Sequence, residues 1–327
     1  MARPRTTLQR SPAGPHVGVV PADADAATVT VGGRAVALTN LNKVFFPKLG
    51  LTKGDLLRYY LRVATAVLPH VAGKAMVMKR YPHGATGDFF FMKRAPAPRP
   101  AWIRTCAIEH RSGNVIDFPV IDDVPSLLWL INLGCIDLNP WYAPCDDFNR
   151  PDYLHIDLDP FDAPFSAVRE AALIVRDVFT SLGMLPFVKT TGSKGMHVYV
   201  AIRTGPTQHE VWETAKALSH AIAQAHPDLL IVEYRVAKRP RGRVLLDYNQ
   251  NAFGRTLASI YSVRPNEEAM VSTPVTWQEV EAGCESADFT MLDVPERVER
   301  LGDLWAPLLK KRGRFDLAAL ASRLHAV

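Results

Sequence analysis

Tyr153-Leu154-His155-Ile156-Asp157-Leu158-Asp159-Pro160 alternates apolar and polar residues, the pattern of a half-buried strand. Leu154, Ile156 and Leu158 face a core. Side chains on a strand repeat every two residues, so His155, Asp157 and Asp159 share the other face. Two carboxylates then stand roughly 7 Å apart along that face, close enough to grip one or two divalent cations. Pro160 cannot donate to a ladder, so the strand is expected to stop there with Asp159 at its open edge. Such a pair serves nucleotidyl transferases and glycosyltransferases alike, and many Asp-x-Asp pairs only cap a turn, so other stretches must decide.

The chain of 327 residues is long enough for one large domain or two small ones. Its apolar content of 48% and charged content of 22% are those of a globular protein. No run of about 18 apolar residues is present, which argues against a transmembrane helix. The basic N-terminus lacks an apolar signal core, and a cytoplasmic protein is expected. Cys106, Cys135, Cys145 and Cys284 follow no zinc spacing and form no close pair, so free thiols in a reducing compartment are expected. A net charge of +5 permits a polyanionic partner. Nothing resembles a coiled coil, and a monomer is the default.

Residues 1–26, with four prolines and little periodicity, read as a loosely attached extension. A hairpin over 28–38 turns at Gly32-Gly33, and a polar and aromatic loop follows over 38–47. Thr52 is placed to cap a helix running to about residue 71, with Asp55 at its third position. Short strands are expected over 76–79 and 88–92, then a hairpin of 101–109 and 115–120 about Ser112-Gly113-Asn114. A short buried helix is expected over 125–133, and longer ones over 164–182 and 207–225. Strands are expected over 187–190, 196–202 and 243–246. The tail from Pro274 reads as a helical cap. Mixed strands and helices without a repeat or long linker indicate one α/β or α+β domain.

Two further pieces decide the chemistry. Thr191-Gly192-Ser193-Lys194-Gly195-Met196-His197 joins two strand-like runs; its glycines permit a tight turn whose N–H groups suit phosphate oxygens. Lys194 adds charge, and Thr191 and Ser193 add hydroxyls. The spacing is not that of a Walker A loop. Asp247 ends the apolar run Val244-Leu245-Leu246, preceded by Lys238, Arg239, Arg241 and Arg243 and followed by Tyr248, Asn249, Gln250 and Asn251. Singly, each piece has an ordinary structural explanation as a surface turn, a turn cap or a solvated loop. Together, three carboxylates, a phosphate-friendly loop and guanidinium groups are what two-metal phosphoryl transfer requires, with hard oxygen ligands suited to Mg²⁺ or Mn²⁺. A glycosyltransferase would need neither the third acid nor the loop.

These three motifs, 154–160, 191–197 and 245–251, resemble those of the archaeo-eukaryotic primase superfamily. The nearest likeness is to the polymerase domain of bacterial DNA ligase D and its stand-alone primase-polymerase relatives, and it extends from about Leu38 to beyond Arg264. The resemblance implies an RRM-like mixed-sheet catalytic core, an N-terminal subdomain and a helical C-terminal tail. It implies two divalent cations, Mn²⁺ or Mg²⁺, with Asp157 and Asp159 holding both and Asp247 holding the catalytic one. Lys79, Thr191, Ser193, Lys194, His197, Gln250 and Arg264 would bind the incoming nucleotide. Asn40, Lys43 and Lys53 would bind a 5′-phosphate on the downstream DNA strand, and Phe90 and Phe91, within Phe89-Phe90-Phe91, would stack on a template base, with one or two of the three rings in the core. Thr191 stands where relatives carry Ser, and Asn139 where a His is expected.

The expectation is therefore a stand-alone primase-polymerase of the bacterial cytoplasm or nucleoid. It would add nucleotides, preferably ribonucleotides, to primer ends and fill short gaps in non-homologous end joining. Within 27–327, the 5′-phosphate part would span about 27–150, the catalytic core about 151–270 and the tail about 271–327. No Lys-x-Asp-Gly ligase signature is present, so a separate ligase and other repair proteins would be its partners. The alternatives are a non-catalytic DNA-end or gap-binding module and a primase that starts chains de novo. Three acids facing phosphates would repel them without metal, which disfavours the pure binder.

Overall fold

The computed structural model describes residues 20–109 and 113–324. The expected loose extension lies partly outside these residues, and its last part is corrected: Val20 is buried in the core, and Arg58 donates to the Pro21 carbonyl at 3.0 Å. Asp25 accepts from the backbone of Leu41 and Asn42, which ties 20–26 to the chain that follows. Ala27–Val31 (β1) and Arg34–Leu38 (β2) form the expected hairpin. Val44–Phe46 (β3) pairs with Leu51–Thr52 (β4), so the stretch expected to be loop contains a strand. Phe45 and Phe46 are buried, and their backbone groups need partners. Lys53–Val71 (α1) starts in the expected capping box, Thr52 and Asp55 bonding each other's backbone.

Lys74–Arg80 (β5) pairs on one side with Phe90–Met92 (β6). Thr105–Glu109 (β7) and Val115–Pro119 (β8) form the second hairpin. Ser112, at its expected tip, lies outside the described residues. Val124–Asn132 (α2) is the short buried helix, and Asn139–Pro144 (β9) pairs with the other edge of β5. Cys106, in β7, and Cys145, after β9, are joined by a disulfide with Cα atoms 5.8 Å apart. This corrects the expectation of four free thiols; only Cys135 and Cys284 are free. The hairpin packs on β5 and β9 through Val77, Ile108, Phe118 and Trp141, bringing together cysteines separated by 39 residues.

The six-stranded sheet is built from Tyr153–Phe161 (β10), Pro186–Thr190 (β11), Met196–Ala201 (β12), Leu230–Ile231 (β13) and Arg243–Asp247 (β14), with helices Phe165–Ser181 (α3) and Gln208–Ala225 (α4) between them. Ser262–Val263 (β15) and Val271–Ser272 (β16) pair apart from it. Pro274–Val275 (β17) completes it, in the order β13-β14-β10-β12-β11-β17. The tail is thus not only a helical cap, since β17 pairs with β11 at the sheet edge before Trp277–Glu281 (α5), Val294–Leu301 (α6) and Leu317–Leu324 (α7). Within this sheet, among the described residues, only β13 and β14 run parallel. Among the described residues, no helix is long and apolar enough to cross a membrane.

Two expectations for β10 need correction. It is a central strand buried on both faces through Leu158, with His155 fully buried, so it is not half-exposed. Leu154, Ile156 and Leu158 share a core with Val168 and Val175 of α3 and Val211 of α4, while Tyr142 of β9 covers His155 on the other face at 4.5 Å between rings. Pro160 does not stop the strand, because it pairs with Val244. Pairing with β12 ends at Leu158, so a missing N–H is tolerated on a strand that has only one neighbour at that point.

Candidate active site

Register places the three acids. Asp157 is the cross-strand partner of Asp247 on β14 and of His197 on β12, and Asp159 lies two residues further along the same face. One oxygen from each of Asp157, Asp159 and Asp247 falls within 4.8 Å of the others. Asp157 and Asp247 are buried, and Asp159 opens to solvent. Burial, then the Asp247 charge, pushes the Asp157 carboxyl up to about 7. Burial, then the charges of Asp157 and Asp247, does the same to Asp159, also to about 7. Asp157 Oδ1 is buried without a hydrogen bond; His197 Nε2 stands 3.1 Å from it but out of line. Three hard oxygen donors crowded in this way fit a divalent cation, whose charge would relieve their repulsion.

The surroundings of Asp247 hold a residue that no sequence pattern marked. Tyr234 donates its hydroxyl to Asp247 Oδ1 at 2.9 Å, where the Asn249 N–H also donates, and Gln250 Nε2 donates to Oδ2 at 2.9 Å. Both oxygens are thereby oriented. Asn251 brackets the backbone of His155, accepting from its N–H at 3.1 Å and donating to its carbonyl at 2.7 Å. The polar cluster 248–251 thus locks β14 to β10.

The glycine loop is bonded to itself more than expected. Thr191 Oγ1 accepts from the N–H groups of Ser193 and Gly195, which therefore do not project towards a ligand. Gly192 has φ +64°, and a Cβ there would come within 2.6 Å of Arg264 Cγ and 2.7 Å of the Ser272 N. Lys194 is exposed beside it, and Arg264 Nε is buried without a partner. Beneath the loop, Lys189 is buried, donating to the Ala258 carbonyl at 3.0 Å and to Ser272 Oγ at 2.5 Å. Burial, then the Arg264 charge, holds its amine well below the ordinary lysine range.

Lys79 reaches the same region from β5. Its ammonium lies 4.0 Å from the Phe89 ring centroid, and the charges of Asp137 and Arg264 both act on it. Asp137 is fully buried, and burial raises its pKa despite those two cations. Phe89, Phe90 and Phe91 are all exposed, at 49%, 43% and 63%, which corrects the expectation that one or two were core. Asn139 offers only a 3.5 Å contact from its Nδ2 to the Asp137 carbonyl.

A second charged cluster forms at the start of α1. Asn40 takes a left-handed conformation (φ 55°) and is exposed, as is Lys43. Lys53 is only 4% exposed and donates to the Thr39 carbonyl at 2.7 Å. Burial, followed by repulsion from Lys43 and Arg80, lowers its amine to about 8. Arg80, absent from the sequence reading, joins this group from β5 and donates to the Leu133 carbonyl at 2.7 Å.

Comparison with known proteins places this arrangement. Residues 52–305 match the family model of the LigD primase-polymerase domain. The multifunctional non-homologous end joining protein LigD of Mycolicibacterium smegmatis is 31% identical over 276 residues, 84% of this chain and 36% of that protein. The bifunctional non-homologous end joining protein LigD of Bacillus subtilis is 30% identical over 269 residues, 81% of this chain and 42% of that one. The chain thus spans well under half the length of these relatives. The polymerase domain of Mycobacterium tuberculosis ligase D, solved in complex with DNA, superposes with a TM-score of 0.79 at 29% identity, covering 84% of this chain and 98% of that one.

Proposed function

The chain belongs to the LigD primase-polymerase family and is a nucleotidyltransferase of that type; we propose that it extends primer ends and fills short DNA gaps in end joining, preferring ribonucleotides. The convergence of Asp157, Asp159 and Asp247 from two adjacent strands carries this reading. Asp157 and Asp159 would hold two divalent cations, Mn²⁺ or Mg²⁺, and Asp247 the one nearer the primer end. When bound, such cations stabilise the attacking and leaving oxygens of an in-line displacement. Tyr234 and Gln250 fix the Asp247 carboxylate for that task, and His197 flanks Asp157. Lys79, Lys194 and Arg264 would neutralise the triphosphate, with Thr191 and Ser193 shaping the loop that carries Lys194. The primer 3′-hydroxyl then attacks the α-phosphate, and pyrophosphate leaves.

The cations at the start of α1 extend the reading to the substrate. Asn40, Lys43 and Lys53, with Arg80 beside them, would take the 5′-phosphate across the gap, and Phe90 and Phe91 a template base. We assign the 5′-phosphate part to about 27–150, the catalytic core to about 151–270 and the tail to about 271–327. Sealing would fall to a ligase activity outside these motifs.

The test is primer extension on a short gapped duplex, with Mn²⁺ or Mg²⁺ and NTPs or dNTPs, beside Asp159→Ala. Metal-dependent extension lost in the variant supports the reading. Tight gap binding without extension in any metal would replace it with a DNA-binding module.

A further inference from the structure

Phe253 is the one exposed phenylalanine outside Phe89-Phe90-Phe91 among the described residues, at 43%. It sits at a turn closed by the Arg255 N–H on the Ala252 carbonyl at 3.1 Å, with Gly254 at φ +78°. Three residues earlier, Gln250 holds Asp247, and Asn251 clamps the same segment to His155. The Phe253 ring stands edge-on to Trp141 at 5.1 Å and to Phe148 at 6.2 Å. An exposed ring is thus carried on the segment that Gln250 and Asn251 anchor, six residues along the chain from the third acid.

Its place in the sheet supplies the second observation. The strand order is β6-β5-β9. Phe91 of β6 is the cross-strand partner of Lys79 of β5, so both project to one face, and Val77 shares that face by the two-residue repeat. Val77 packs in one cluster with Trp141 of β9. Phe91 and the Trp141–Phe253 pair therefore lie on opposite sides of β5, on β6 and against β9, with the β7–β8 hairpin covering the Val77 end between them. Arg255 is exposed and forms no ion pair among the described residues. It belongs to the same turn as Phe253, two residues further along.

We propose that Phe253, backed by Trp141, is a stacking platform for a base of the primer strand, with Arg255 beside it for the backbone phosphate. The proposal rests on the polymerase reading for which strand lies there. Exposed aromatics on the two sides of β5, Phe91 and Phe253, suit two strands, and base stacking on an aromatic ring tolerates any sequence. The competing explanation is that Phe253 only shields Trp141 from water.

The full chain is bound, without nucleotide, to a gapped duplex carrying 2-aminopurine next to the primer 3′ end. Phe253→Trp should quench the probe as the unaltered protein does. Phe253→Ala and Phe253→Leu should not, and should bind roughly tenfold more weakly. Leucine keeps an apolar cover on Trp141, so a Phe253→Leu variant that folds, quenches and binds like the unaltered protein would overturn the proposal. Quenching that depends on Phe253 in a protein without primer extension would retain the platform while removing the polymerase reading. Normal extension with quenching indifferent to Phe253 would do the reverse.

Discussion

The acid trio and the basic cluster at the start of α1 are opposite solutions to one problem. In the first, register between β10 and β14 forces carboxylates together, and Asp157 and Asp159 are pushed up to about 7. In the second, a helix start and a loop gather amines and a guanidinium, and Lys53 is brought down to about 8. Each region crowds like charges that only an oppositely charged ligand resolves, a cation in one and a phosphate in the other. The unfavourable charge belongs to the site itself. The comparison teaches that these regions are built for ligands and are not sources of stability.

The largest effect is expected at the acids. Asp159→Ala removes a carboxylate crowded by Asp157 and Asp247, so the melting temperature above pH 7 should hold or rise while extension falls by roughly a thousandfold, read by single-turnover kinetics. Lys53→Met should weaken binding to gapped DNA carrying a 5′-phosphate by roughly ten- to a hundredfold, and barely change binding to 5′-hydroxyl DNA. Titration anisotropy on the two DNAs measures this difference.

Smaller effects come from pH, with opposite signs in the two regions. Lys53 must be charged to hold phosphate, so the preference for 5′-phosphate DNA should fade as pH rises past 8. Its lowered pKa means the unfolded chain binds the extra proton between about 8 and 10.5, so this group adds stability as pH rises there. The raised acids work the other way. The stability they contribute is complete below the ordinary carboxylate range and is lost as pH rises through about 7. Added Mn²⁺ should therefore raise the melting temperature more at pH 8 than at pH 6, and Asp157→Asn should reduce that difference.

The acid region was the more legible in sequence. Alternation gave β10 and the shared face of Asp157 and Asp159, and an apolar run placed Asp247 at a strand end. The Thr52–Asp55 box marked the start of α1 because capping is local. What escaped depends on distant contact. Tyr234 reaches Asp247 from a loop, Arg80 joins Lys53 through β5, and Cys106 meets Cys145 only when the hairpin packs on β9. Pro160 misled because the one-sided pairing that tolerates it is set by where β12 ends. One or two of the Phe89–Phe91 rings read as core, although all three are exposed, since an aromatic run has the same composition whether it faces a core or a strand of DNA.

The central claim is that the two regions serve one gapped substrate. It is tested most directly by extension across a short gap with the downstream 5′ end phosphorylated or not, in the unaltered protein and in Lys53→Met. The account predicts that removing the phosphate and substituting Lys53 lower extension to the same level, and that combining them lowers it no further. If Lys53→Met slowed extension equally on both DNAs, the basic cluster would not be reading the phosphate, and the account would be wrong.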